Sequence, residues 1–137
     1  MNRFIVFVGV ALYCAGPVSA QECLHGSAES PEQQARRQQA VRVARVVNTI
    51  QANQPGGWEQ RFLRHEELAA SPVSSRQPES VKPFNFAPGQ EVAPGWDLTL
   101  NVTDKGYWFM VKDKTDACGF AYISNSAGVI YRAEPIR

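Results

Sequence analysis

The chain has 137 residues, of which 44% are hydrophobic, 10% are aromatic and 20% are charged. Its 14 Lys and Arg residues nearly balance its 13 Asp and Glu residues, so the formal net charge is only +1. This balance gives no electrostatic drive toward nucleic acid or an anionic membrane, and the length fits one domain with a single modest core.

The first twenty residues have the three regions of a secretory signal peptide. Arg3 supplies the positive charge, residues 4–12 are apolar, and residues 18–20 form a small-x-small cleavage site. The apolar run is shorter than the roughly 20 residues that a membrane-spanning helix needs. We expect cleavage between Ala20 and Gln21, a periplasmic or secreted product, and no stable membrane insertion of the cleaved chain. Retention of the segment as an anchor stays open.

Two cysteines, Cys23 and Cys118, remain in the expected mature chain, because Cys14 lies in the signal segment. An oxidising compartment favours one disulfide between them. It would close a loop of about 95 residues and stabilise the fold by roughly 4 kcal/mol on the chain-entropy model. Since the chain has no Cys-x-x-Cys motif and no histidine cluster, we expect no metal and no cofactor.

The clearest predicted element is an amphipathic helix that begins at a capping box of Ser30 and Gln33, with Pro31 in its first turn, and runs to about Asn53. Apolar residues recur at three- and four-residue steps, which predicts one buried face. That face contains Ala40, Val43, Ala44, Val47 and Ile50. Val41 and Val46 widen this face. The predicted polar face contains Arg36, Arg37, Arg42, Arg45, Asn48 and Gln51.

Four arginines of this helix, Arg36, Arg37, Arg42 and Arg45, lie within about three turns. A nucleic-acid or acidic partner is one interpretation of the cluster. A solvated helix face is favoured, because the chain is neutral and no aromatic residues are interleaved with the arginines.

The next segments are less regular. Residues 58–70 have the pattern of a short second helix, interrupted near His65. Residues 71–95 contain five prolines and many Ser and Gln residues, which predicts a long irregular segment. Phe84 and Phe86 are expected to anchor part of this segment to the core. Whether it is a mobile insertion or a binding surface stays open.

The C-terminal third reads as two β-hairpins. Residues 98–102 and 107–111 alternate around a turn in which Gly106 is expected to supply a positive φ. Residues 119–123 and 129–131 flank a five-residue loop. We therefore predict a single α+β domain over residues 21–137, with a long N-terminal amphipathic helix packed on a four-stranded antiparallel sheet.

Three stretches resemble the globular heads of type IV pilins and pseudopilins: residues 44–52, residues 58–68 and, most specifically, residues 119–131. The resemblance implies a pilin-head-like fold. Pilins also carry a phenylalanine-led assembly helix with a glutamate at its fifth position, and this chain has no such helix. The expected function is that of an exported, non-enzymatic binding or assembly-accessory domain with a protein or surface partner, and filament formation is not implied.

Catalytic patterns are weak in this sequence. His65 is followed by two glutamates, but the second histidine of a zinc-protease motif is missing, so His65 is expected on a solvated helix face. Asp113 and Asp116 fit either a turn or a weak cation site, and a turn is favoured. The chain is therefore predicted not to be an enzyme. A site in which His65 meets Asp113 or Asp116 in a cleft would favour the enzyme hypothesis.

The best binding candidates are Trp108 and Met110. They share one face of the predicted strand, opposite Tyr107, Phe109 and Val111, so one of the two sets must face away from the helix. An exposed Trp108 and Met110 face would form an aromatic platform for a carbohydrate, a peptide or a protein; burial under the proline-rich segment is the alternative.

The sequence also contains a possible modification site and leaves a second functional class open. Residues 101–103 match an N-glycosylation sequon, which matters only in a host that glycosylates exported proteins. The second functional class is a soluble inhibitor or small-ligand binder, whose site would be formed by the proline-rich segment.

Overall fold

The computed structural model describes residues 29–54, 61–71, 84–116 and 118–134. In chain order these ranges contain helix α1 (Pro31–Ala52), helix α2 (His65–Ala70) and strands β1 (Glu91–Ala93), β2 (Trp96–Thr103), β3 (Gly106–Asp113), β4 (Ala121–Asn125) and β5 (Ile130–Ala133). Helix α1 packs on the sheet, so the α+β class is confirmed. The predicted signal peptide and Cys23 lie outside the described residues.

Helix α1 begins where the sequence predicted. The Gln33 backbone N–H donates to the Ser30 side chain over 3.2 Å, and the Ser30 backbone N–H donates to the Gln33 side chain over 2.8 Å. These two bonds satisfy backbone donors that the first turn would otherwise leave free. Asn53 ends the helix and donates its backbone N–H to the Thr49 carbonyl.

One face of α1 is fully buried against the sheet. All five residues of the predicted apolar face have 0% exposure: Ala40, Val43, Ala44, Val47 and Ile50. Gln51 is also 0% exposed, so its assignment to the polar face was wrong. Its side chain is buried because both its oxygen and its nitrogen form hydrogen bonds to the backbone of Leu63.

Two of the four helix arginines are not solvated as predicted. Arg36 donates to the Asp113 carboxylate over 2.9 Å. Arg37 pairs with Glu29, and its guanidinium carbon lies 3.9 Å from the centroid of the Phe120 ring. Both arginines thus link α1 to its surroundings, whereas Arg42 and Arg45 are exposed, as expected of a solvated face.

The five strands form an antiparallel meander in the order β1-β2-β3-β4-β5. Strands β2 and β3 pair without interruption from Trp96 with Asp113 to Thr103 with Gly106, which confirms the first predicted hairpin. Gly106 does not have a positive φ, so that expectation was wrong. Instead, an added Cβ would lie 2.9 Å from the Ser126 hydroxyl, so the glycine allows close approach of the β4–β5 loop.

The prediction of four strands missed β1, which lies inside the segment predicted to be irregular. Gly89 with φ +72° and Gly95 with φ +77° stand in the turns on either side of β1. Both values lie in the left-handed region, which glycine adopts without steric cost. Because β1 has only three residues, it is too short to show a repeating alternation.

The residues before β1 are anchored as predicted. Phe84 is 6% exposed and Phe86 is 1% exposed, and both belong to the core cluster. The Asn85 backbone N–H donates to the Val92 carbonyl over 3.0 Å. The start of the segment, residues 72–83, lies outside the described residues.

The second hairpin is shifted from its prediction. Strand β4 begins at Ala121 rather than residue 119, and strand β5 spans Ile130–Ala133 rather than residues 129–131. Strand β4 continues to Asn125, two residues beyond the predicted end, and pairs Ser124 with Ile130. Ser124 is fully buried and donates its hydroxyl to the Val129 carbonyl over 2.8 Å. Gly128, with φ +74°, makes the reversal in the shortened loop.

Helix α2 begins at His65, so residues 61–64 of the predicted second helix are not helical, and residues 58–60 lie outside the described residues. The Leu63 backbone N–H donates to the Gln51 side-chain oxygen over 2.8 Å, and the Gln51 side-chain nitrogen donates to the Leu63 carbonyl over 2.8 Å. Because both polar backbone groups of Leu63 bond to α1, residues 61–64 stay non-helical. The Arg64 backbone N–H donates to Glu67, which caps the first turn of α2 and lowers the pKa of that carboxyl.

Candidate functional site

The alternation of strand β3 separates a buried face from an exposed one. Tyr107, Phe109 and Val111 are at most 7% exposed and belong to the core beneath α1. Trp108 points away from the core and is 44% exposed, and Met110 is half-buried on the same side. Trp108 and Met110 thus lie on the outer face of the sheet.

Trp108 lies in the middle of a polar row. It pairs with Asn101 of β2 on one side and with Asn125 of β4 on the other, and both asparagines are exposed. Directly opposed residues on antiparallel strands have Cβ atoms about 5 Å apart. The indole is therefore flanked on both sides by neutral carboxamides.

The neighbouring row is apolar at its centre. Met110 and Ile123 are paired and half-buried, with Thr99 on β2 at one end and Tyr131 on β5 at the other. Tyr131 is 54% exposed. We call these two rows together the outer platform; it consists of Thr99, Asn101, Trp108, Met110, Ile123, Asn125 and Tyr131.

Charged groups lie next to the platform. Glu91, Asp97 and Lys112 occupy the next row of the sheet, and Lys114 follows the end of β3. Lys114 lies 3.1 Å from the Glu91 carboxylate and 3.7 Å from the Asp97 carboxylate. The Gly95 backbone N–H and Lys114 lower the pKa of Glu91, and the hydrogen bond to Glu91 raises the pKa of Lys114. Two carboxylates and two lysines leave this group formally neutral, and the platform itself carries no acidic or basic side chain.

A second candidate region, a cleft that the sequence did not indicate, lies beside the C-terminal half of α1. Its cleft has a volume of about 460 Å³ and is lined by Asn48, Thr49, Gln51, Ala52, Phe62, Tyr107, Ser126, Ala127 and Gly128. The Tyr107 hydroxyl donates to the Asn48 side-chain oxygen over 2.9 Å. The Asn48 side-chain nitrogen donates to the Ser124 hydroxyl over 2.9 Å and to the Gly128 carbonyl over 3.2 Å. This network ties α1 to the β4–β5 loop.

Replacing Tyr107 with phenylalanine is expected to lower the free energy of unfolding by about 1 kcal/mol, because the Asn48 side-chain oxygen loses its hydrogen bond from the Tyr107 hydroxyl. Burial raises the pKa of Tyr107. The unfolded chain therefore releases this proton near pH 10, while the folded domain keeps it, so wild-type stability falls as pH rises above about 10. Tyr107→Phe should lose less stability over that interval.

Urea unfolding at neutral pH and at about pH 10.5 measures both effects. Tyr131→Phe is the matched control, because Tyr131 lies exposed on the opposite face of the sheet. Equal pH slopes for wild type and Tyr107→Phe would contradict the proposed role of the buried hydroxyl.

The residues considered for catalysis have separate structural partners. A ring nitrogen of His65 lies 3.2 Å from the Phe86 carbonyl. Asp113 accepts hydrogen bonds from Arg36 and from Thr115, and Asp116 accepts from two backbone N–H groups that follow it. Both carboxylates accept from the backbone N–H two residues on, as turn aspartates do, but Asp113 is also the last residue of β3. Within the described ranges, no three or more His, Cys, Asp or Glu residues lie together as a metal site would require.

Cys118 is disulfide-bonded. The other two cysteines of the chain, Cys14 and Cys23, lie outside the described residues, so the Cys23–Cys118 pairing stays a prediction. None of the helices in the described ranges is long and apolar enough to cross a membrane.

Comparisons of the chain with protein-family models, curated proteins and solved structures find no match. Function is therefore inferred from the fold and from the geometry of the outer platform and the cleft.

Proposed function

We propose that this chain is an exported, non-enzymatic binding or assembly-accessory domain, similar to a pilin head without the assembly helix, that engages its partner through the outer platform. The half-exposed indole of Trp108 is the observation that carries the proposal. A tryptophan that leaves 44% of its surface in water on a paired central strand contributes apolar area available for association.

The regular pairing of β2 with β3 supports a rigid, pre-formed surface. Trp108 lies on the longest hairpin of the sheet, whose eight residue pairs are regular. The side chains on the other face of β3 are buried in the core. A rigid platform loses little conformational entropy on binding.

Replacing Trp108 with alanine is expected to reduce retention of the purified protein on washed envelope fractions of its exporting host by about tenfold or more. Its melting temperature should change little, because the side chain is far from fully buried. Arg45→Ala, on the exposed face of α1, is the matched control and should be retained like wild type. Equal retention of Trp108→Ala and wild type would refute the proposed role of the platform.

A soluble small-ligand binder is the second candidate function. The cleft beside α1 favours it, because Phe62 and Tyr107 supply an aromatic wall with ring centroids 5.2 Å apart, and Ser126 adds a hydroxyl. Its volume lies within the range of small-molecule sites. Retention that depends on Phe62 rather than on Trp108 would favour this candidate.

A further inference from the structure

We propose that the outer platform binds an uncharged carbohydrate chain, with one sugar ring stacked on the indole of Trp108 and another on the ring of Tyr131. This inference rests on the proposed function and names the chemical class of its partner. It follows from the order of side chains across the sheet and from their charge.

The two exposed rings of the platform lie on different strands. Trp108 lies on β3 and Tyr131 lies on β5, one row further along. Two strand spacings and one two-residue step place their Cα atoms about 12 Å apart. Ile123 lies between them on β4, so an apolar diagonal connects the rings. An extended ligand with repeating flat faces matches this diagonal better than a single compact group.

Neutral polar side chains lie beside the two rings. Asn101 and Asn125 flank Trp108, Thr99 lies at the end of the next row, and Tyr131 adds a phenol. Carboxamides and hydroxyls both donate and accept hydrogen bonds, as sugar hydroxyls do. The partly positive C–H groups on one face of a pyranose ring pack favourably on the negative face of an indole.

The two rows of the platform carry no charged side chain. Because no Lys or Arg lies in either row of the platform, it lacks the groups that recognise phosphate backbones or anionic lipid headgroups. No Asp or Glu lies there to pair with a basic partner. The neutral surface complements an uncharged ligand. Among the neighbouring charges, Lys114 pairs with Glu91 and Asp97, and Lys112 lies opposite Asp97, so these four side chains sum to zero formal charge.

The alternative occupant is a protein. Energetic hot spots in protein interfaces cluster in well-packed, desolvated pockets near the centre of the contact. Met110 and Ile123 are already half-buried, and the two exposed rings lie on separate strands, Trp108 on β3 and Tyr131 on β5, with Ile123 between them. Separated rings interspersed with amides favour a carbohydrate over a protein.

The test measures retention of the protein on washed envelope fractions of the exporting host, either untreated, digested with protease, or oxidised with periodate, which cleaves the vicinal diols of sugars. We expect retention to survive protease and to fall about tenfold or more after periodate. Trp108→Ala and Tyr131→Ala should each lose retention on the untreated and the protease-digested material. Trp108→Phe should retain more than Trp108→Ala, because it keeps an aromatic face.

The outcomes separate the two proposals. Retention that depends on Trp108, survives periodate and is lost after protease would overturn the carbohydrate assignment and leave the binding-module proposal standing with a protein partner. Retention that does not depend on Trp108 would overturn both. Arg45→Ala should behave like wild type on every material, and matched melting temperatures establish that the platform variants are folded.

Discussion

Replacing Val47 with aspartate is expected to abolish the cooperative thermal unfolding transition of the domain. Val47 is 0% exposed and lies in the middle of the α1 face that packs on the sheet. An unpaired carboxylate in that position costs several kcal/mol, which is comparable to the whole stability of a small domain. Far-ultraviolet circular dichroism during heating measures the transition.

The matched control is Arg45→Asp, which places the same side chain two residues earlier on the exposed face of α1. We expect it to change the free energy of unfolding by about 0.5 kcal/mol or less, as is usual for surface positions. A cooperative transition retained by Val47→Asp would show that α1 does not pack on the sheet as described.

Replacing Gln51 with leucine is expected to lower the free energy of unfolding by about 2–4 kcal/mol, because two partly buried backbone groups of Leu63 lose their partners. The change keeps a side chain of similar size but removes both hydrogen bonds to Leu63. Residues 61–64 should then separate from α1. Urea unfolding measures the stability, and hydrogen exchange at the Leu63 amide measures the local opening.

The control for this change is Gln38→Leu, which makes the same substitution at an exposed position of α1. Its effect should stay within about 0.5 kcal/mol. If Gln51→Leu were as stable as Gln38→Leu, the paired bonds to Leu63 would contribute nothing, and another cause would be needed for the late start of α2.

The sequence was sufficient for elements whose signals are local. The capping box of Ser30 and Gln33 located the start of α1, and the three- and four-residue spacing identified its buried face. The alternation of β2 and β3 predicted their hairpin, because a strand with one buried face repeats every two residues. Each of these signals lies within a few consecutive residues.

The features that were missed depend on contacts between distant residues. Strand β1 exists because its edge pairs with β2, and three residues carry no periodic signal. Gln51 was assigned to the polar face because its side chain is polar, and only its hydrogen bonds to the distant Leu63 explain its burial. Arg37 was likewise predicted to be solvated, because the sequence does not show that Glu29 and the Phe120 ring lie beside it.

The candidate site was predicted in part. Alternation placed Trp108 and Met110 on one face of β3, but the choice between burial and exposure depended on which face α1 covers. The partners of Trp108 on neighbouring strands, Asn101 and Asn125, follow from the strand register, which the sequence alone did not determine. The cleft beside Tyr107 combines α1, β3 and the β4–β5 loop and had no local signal at all.

The most direct measurement is oxidative footprinting of the protein, free in solution and bound to envelope fractions of its exporting host, with modification located by mass spectrometry. We predict that Trp108 and Tyr131 are modified rapidly in the free protein and are protected when it is bound. Trp96, which is fully buried, should be slow to react in both states and serves as the internal reference. Equal modification of Trp108 in the free and bound protein would contradict the assignment of the outer platform as the binding surface.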